Sequence, residues 1–129
     1  MAKNKDNFFR SVFLIAAIYD FVLGILFFLF YKSIFSYFNI QLPDYPMYLQ
    51  MSAAFVIAMG FGYYFVYKNL YRNADLVKLG IVYKIAYSAL AIYFYLVSLA
   101  HVIFFLLAMV DIIFLALFVS FLSYAKKKN

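Results

Sequence analysis

The sequence predicts an all-α integral membrane protein, a four-helix transmembrane bundle with its N and C termini in the cytoplasm. Three observations carry that expectation. Of the 129 residues, 70% are hydrophobic and only 12% charged, about half the charged share of a water-soluble domain. The apolar residues fall in runs long enough to cross a hydrocarbon core, which takes about 20 residues at 1.5 Å each. The basic residues gather beside those runs, at Lys3, Lys5 and Arg10, at Lys68, Arg72 and Lys78, and at Lys126 to Lys128.

The first run, residues 11–31, exceeds the roughly 7 to 15 residues of a signal-peptide core, and "FLFYKSIFSYF" beyond it offers no small-residue cleavage site, so it stays as an anchor. The connection "KSIFSYFNIQLPDYP" places Ile34, Phe35 and Phe38 at helical spacing ahead of two prolines. Residues 33–40 therefore read as a short helix on the outer leaflet, followed by a turn. The second span covers residues 46–67, with Pro46 at the first helical position, where its missing N–H costs nothing. After "KNLYRNAD", Asn73 or Asp75 caps the third helix. Residues 76–124 are apolar apart from Lys78 near the start and Lys84, His101 and Asp111 further in, too long a run for one span. They divide into spans 76–97 and 102–124 about a turn at "VSLAH", with Ser98 as a helix N-cap and His101 an exposed residue at the interface.

The basic clusters lie before the first span, between the second and third, and after the fourth, whereas the first connection holds Lys32 alone and the last none. By the positive-inside rule both termini face the cytoplasm. Tryptophan is absent, so the interfacial belts fall to Tyr31, Tyr45 and Tyr48 on one side and to Phe8, Phe9, Tyr67, Tyr71 and Tyr124 on the other.

The net charge of +6 is a topology signal rather than a nucleic-acid footprint, because it is confined to short clusters at membrane edges. With no cysteine and His101 as the only histidine, one chain cannot build a Cys-ligated metal site, a two-histidine site or bis-histidine haem ligation. No cofactor is expected. There is neither a Gly-rich phosphate loop nor a nucleophile–histidine pair, so no enzyme chemistry is expected either.

The polar residues inside the spans are the handle on function. Asp20 follows Arg10 by about 15 Å of helix and Asp111 follows His101 by as much, which puts both carboxyls near the bilayer midplane. An ionised Asp there costs on the order of 3 kcal/mol, so a proton, a cation or hydrogen bonds must offset it. Lys84 is the candidate cation, either snorkelling to the cytoplasm or reaching towards the aspartates. Gly80, Lys84 and Ser88 form one stripe, as do Ala17, Asp20 and Gly24, then Ala54, Ala58 and Gly62, then Ala108, Asp111 and Leu115. Small residues at this spacing read as the seams of the bundle and place both aspartates inside it. Tyr19, Tyr63, Tyr64, Tyr83 and Tyr87 are candidate hydroxyl donors to them. The expected polar centre is thus Asp20, Lys84 and Asp111, with Gln50 near the outer edge of the second span.

Taken in order, "LIAAIYDFVLGILFFLF", "LPDYPMYLQ", "GFGYYFVYKN" and "LVKLGIVYKIAYSALAIYFY" resemble the small four-helix membrane proteins of the DoxX-like group. The resemblance covers nearly the whole length at the level of layout. It implies a compact bundle in a bacterial inner membrane, among proteins often attached to larger membrane complexes, and it transfers no functional residue. "AIYDFVLG" is also similar to the first helix of the small multidrug resistance transporters, with Asp20 where they use Glu. The chain departs from them in lacking their tryptophan and in carrying Asp111 and Lys84.

The function expected is that of a non-enzymatic polytopic inner-membrane protein. It acts as a membrane-complex subunit or as the binder of a small lipophilic molecule, with the bilayer, further copies or other membrane subunits as partners. The alternative is a proton-coupled carrier working as a homo-oligomer.

Overall fold

The computed structural model describes residues 2–128, with the side chains of Ala2 and of Lys128, the last of the C-terminal basic cluster, outside the described set. Five helices follow one another: α1 (Ala2–Leu29), α2 (Tyr31–Tyr37), α3 (Pro46–Lys68), α4 (Ala74–Leu96) and α5 (Val102–Lys128). There is no strand among the described residues. Four of the helices are long and apolar enough to cross a membrane, so the chain is an all-α, multi-pass helical bundle. α1 packs most closely on α3 and α4 on α5, with thinner seams between α3 and α4 and between α1 and α5.

In lipid the hydrophobic effect does not drive helices together, and close backbone approach does much of that work. The α1–α3 seam shows it. A Cβ on Gly24 would lie 2.5 Å from Ile57 Cγ1 and 2.9 Å from the Ala53 carbonyl, and one on Gly60 would lie 3.1 Å from the backbone of Ala17 and Phe21. The α3 face in contact is therefore Ala53 and Gly60, both buried, and not the expected Ala54, Ala58 and Gly62. Ala54 and Ala58 are exposed, and a Cβ on Gly62 would meet nothing within 4 Å. The stripes expected on α1 and α4 are buried throughout. On α5, Ala108 and Asp111 are buried but the stripe continues through Phe114, Phe118 and Phe121 rather than Leu115.

The bundle is packed unequally along its length. In the half that carries both termini, Phe13 stacks on Phe118 with ring centroids 4.9 Å apart and meets Phe121 edge-on at 5.3 Å, while Tyr63 adds a further contact with Phe118 at 5.0 Å. Such pairs add about 0.5–1.5 kcal/mol each beyond the area they bury. Asp6 fastens this end, since its Oδ1 accepts from Tyr71 Oη at 2.6 Å and from Tyr124 Oη at 2.9 Å. The opposite half, beneath α2, is looser. There Phe27, Phe35 and Phe104 meet at centroid distances of 6.0–6.4 Å.

The connections depart from the sequence reading in instructive ways. α2 begins at Tyr31 and buries Tyr31 and Phe35 against the bundle, leaving Ile34 and Phe38 half-buried. Ser98 does not cap α5. It closes α4, with a left-handed φ of 62° and hydrogen bonds from its own N–H to Tyr95 O and from Leu99 N–H to Phe94 O, the paired pattern of a Schellman C-cap. Asn39, at φ 56°, ends α2 the same way. The capping of α5 falls to His101, whose Nδ1 accepts from Ile103 N–H at 3.0 Å and whose ring lies 5.4 Å from that of Phe38. It is half-buried rather than an exposed loop residue. Pro46 opens α3 as expected. Asn73 stands at the N-cap position of α4, yet its Nδ2 donates backwards to Phe65 O at 2.8 Å and so closes α3. Asp75 pairs with Lys78 at 3.0 Å in the open, a contact of little energetic weight.

Candidate functional site

Three helices bring three charged side chains together near the middle of the bundle. Asp20 comes from α1, Lys84 from α4 and Asp111 from α5, with relative exposures of 2%, 0% and 6%. Lys84 Nζ donates to Asp111 Oδ1 at 2.9 Å and stands 3.8 Å from Asp20 Oδ1. The question left open by the sequence is therefore decided: Lys84 does not snorkel. Gly80, one turn earlier on the same face, leaves room for the Tyr63 ring, whose centroid lies 5.4 Å from the ammonium. Four rings surround the ammonium, with centroids at 5.3 Å (Phe114), 5.4 Å (Tyr63), 5.8 Å (Phe118) and 5.9 Å (Tyr83). Aromatic faces attract a cation electrostatically. They offset part of what its burial costs.

Pairing is incomplete. Asp20 Oδ2, Tyr19 Oη, Tyr63 Oη and Ser88 Oγ are buried without a hydrogen-bond partner. The tyrosines proposed as donors to the aspartates do not serve as such: Tyr87 Oη reaches Phe104 O at 3.4 Å, Tyr64 is exposed, and among the described residues no tyrosine bonds to Asp20 or Asp111. Gln50 is not part of the cluster. Its Nε2 donates to Phe28 O at 3.2 Å, tying the start of α3 to the end of α1.

Beside the cluster, and chiefly in the half beneath α2, lies a cavity of about 600 Å³ lined from all four long helices. Asp20, Asp111, Tyr83 and Tyr87 supply most of its polar character, and Leu23, Phe27, Val56, Met59, Phe104 and Leu107 its apolar walls. On the α3–α4 side the lining residues Phe55, Leu79, Ala86 and Leu90 are exposed. The cavity therefore opens sideways through the thin α3–α4 seam. Towards the termini it is shut by the Phe13, Tyr63, Phe118 and Phe121 packing. Among the described residues no three His, Cys, Asp or Glu side chains converge as metal ligands.

The Asp6–Tyr71–Tyr124 junction was not legible in the sequence, which placed both tyrosines in an interfacial belt. Lys5 lies over the Tyr124 ring at 5.6 Å, adding a second contact at the same corner. Burial, and then the hydrogen bond to Asp6, push the Tyr71 hydroxyl above its ordinary pKa.

Fold and site together define a multi-pass helical membrane protein with a buried Asp–Lys–Asp cluster at the inner end of a lateral cavity. No family model, no curated protein and no solved structure matches the chain.

Proposed function

We propose that this protein is a non-enzymatic intramembrane binder of a small lipophilic molecule, which reaches the cavity from the bilayer through the α3–α4 seam. One observation carries the reading: a cavity of about 600 Å³, within the range of ligand sites, lies open to lipid and has the buried, unpartnered Asp20 Oδ2 on a residue of its lining. A role as pure structural glue would have the polar cluster paired and the space around it filled. The bilayer proposed is a bacterial inner membrane with both termini cytoplasmic, on the basic-residue distribution and the DoxX-like layout, and further copies or other subunits would pack on the exposed faces.

The test is organic extraction of protein purified from its own membranes, with mass spectrometry of what is released. Ala86→Trp, at the exposed rim, fills the mouth without touching the cluster. Wild type should carry one lipophile class in near-stoichiometric amount that the variant lacks; the same bulk lipids in both would end the binding reading.

A second reading, the proton-coupled carrier, draws on the fact that both carboxylates line the cavity. It requires that Asp20→Asn abolish transport and proton movement together in a variant that still folds. Retained transport would remove it.

A further inference from the structure

The geometry points to the chemistry of the ligand: Asp20 is held as a carboxylic acid, and its hydroxyl donates to a neutral lipophile that carries an acceptor oxygen, such as a ketone, ester or amide carbonyl. This rests on the binding reading above and adds what the molecule must present.

Charge balance is the first ground. One ammonium faces two carboxyl groups, at 2.9 and 3.8 Å. Fully ionised, the cluster would carry an uncompensated negative charge at hydrocarbon depth, at a cost on the order of 3 kcal/mol or more. The other titratable groups around it are phenols: Tyr19 on α1, Tyr63 on α3, and Tyr83 and Tyr87 on α4. Phenols are neutral at physiological pH and supply no balancing charge. One bound proton does.

The proton's position follows from the hydrogen bonds. Lys84 makes its shorter, hydrogen-bonded contact with Asp111, at 2.9 Å, and so favours the ionised form at that carboxylate rather than at Asp20. Asp20 Oδ1 is beyond hydrogen-bond distance of the ammonium, and Oδ2 has no partner in the protein. An acid proton on Oδ2 is then a buried donor with nothing to accept it, and such a group left unsatisfied costs about 1–3 kcal/mol. A carbonyl oxygen in the cavity removes that cost.

The route in selects against a cation. Phe55, Ala86 and Leu90 form an uncharged stretch of the rim deep in their spans, where an ionised ligand is costly to place. A cation that did arrive at Asp20 would also face the Lys84 ammonium, 3.8 Å from Asp20 Oδ1, with repulsion strengthened by the low dielectric.

The experiment uses the full chain in lipid nanodiscs, corrected against empty discs, with three probes on one tricyclic skeleton: 9-fluorenone, fluorene and protonated 9-aminofluorene. Fluorenone should bind roughly ten-fold tighter than fluorene, the worth of one hydrogen bond, and tighter than the amine, and its infrared C=O stretch should move to lower frequency on binding. Asp20→Asn keeps an N–H donor and should keep most of that preference; Asp20→Leu should lose both the preference and the frequency shift. Tightest binding by the amine, with one proton released per molecule and loss in Asp20→Asn, would overturn the inference in favour of a cation site. Equal binding of fluorenone and fluorene, both blocked by Ala86→Trp, would also overturn it while leaving the binding reading intact. If no probe binds, or if Ala86→Trp blocks none of them, both fall. The fluorenone–fluorene comparison in wild type needs no variant, so it stands even where a substitution at Asp20 disturbs folding.

Discussion

Removing the Lys84 ammonium would leave two buried carboxyl groups without a cation, beside the rings of Tyr63, Phe114 and Phe118. Stranding one side of a buried ion pair typically costs 3–5 kcal/mol, far more than the pair contributes when intact. Lys84→Met should therefore lose about 3–5 kcal/mol of stability, read as helicity or oligomer retention during a denaturing-detergent titration. The cost lies in the stranded carboxyls rather than in lost packing. Adding Asp20→Asn and Asp111→Asn to Lys84→Met should recover most of it, and a triple variant as unstable as Lys84→Met would show that the stem, not the charge, is what matters. The three substitutions touch one another, so their effects will not add.

At the scale of the element, the α1–α3 seam depends on glycines whose positions differ in what surrounds them. Gly24→Ala would drive a methyl group into Ile57 and the Ala53 carbonyl, and overpacking of this kind costs about 1–3 kcal/mol. Gly62→Ala meets open space and should be neutral or stabilise by about 0.5–1 kcal/mol through reduced backbone entropy. A detergent-denaturation comparison of the two variants checks both signs at once. Equal effects would mean that α1 and α3 are not in the close contact described. The same pair explains why the sequence misled on α3. That helix carries small residues on two faces, and the spacing of four in Ala54, Ala58 and Gly62 is more conspicuous than the spacing of seven between Ala53 and Gly60. The inward face is chosen by Tyr63, which packs over Gly80 and on Phe118, and a partner on another helix leaves no trace in the α3 sequence.

For the molecule as a whole, the two ends are built for different purposes. The terminal half is an aromatic plug fastened at Asp6, and the half beneath α2 encloses the cavity. Tyr71→Phe removes one of the two hydroxyls on Asp6 Oδ1 and should cost about 1 kcal/mol, while leaving probe binding at the cavity unchanged. The pH dependence has a definite sign. Tyr71 is a neutral acid whose pKa is raised in the folded protein by burial and by Asp6. Its contribution is therefore fully present below the ordinary tyrosine value of about 10 and is lost as pH rises through the higher folded value. An ultraviolet tyrosinate titration of wild type against Tyr71→Phe should show the phenol removed by the substitution ionising above the ordinary tyrosine value of about 10. If the difference spectrum shows it ionising at about 10, the junction is open in solution.

The sequence by itself determined the class and number of the helices, because lipid demands that backbone polar groups be satisfied within each span and an apolar run of sufficient length has no other stable form. It also marked Asp20, Lys84 and Asp111, since an ionisable residue deep in an apolar run stands out whatever surrounds it. Only the tertiary structure decided that Lys84 turns inward to Asp111 rather than upward to water, that Gln50 belongs to the α1–α3 contact, that Asp6 joins Tyr71 and Tyr124 from opposite ends of the chain, and that a cavity remains beside Asp20. Each of these depends on which faces of separate helices meet and how closely. Sequence periodicity records the faces of one helix at a time, but the distance between two helices is set by residues such as Gly24 and Ala53 acting together across the seam.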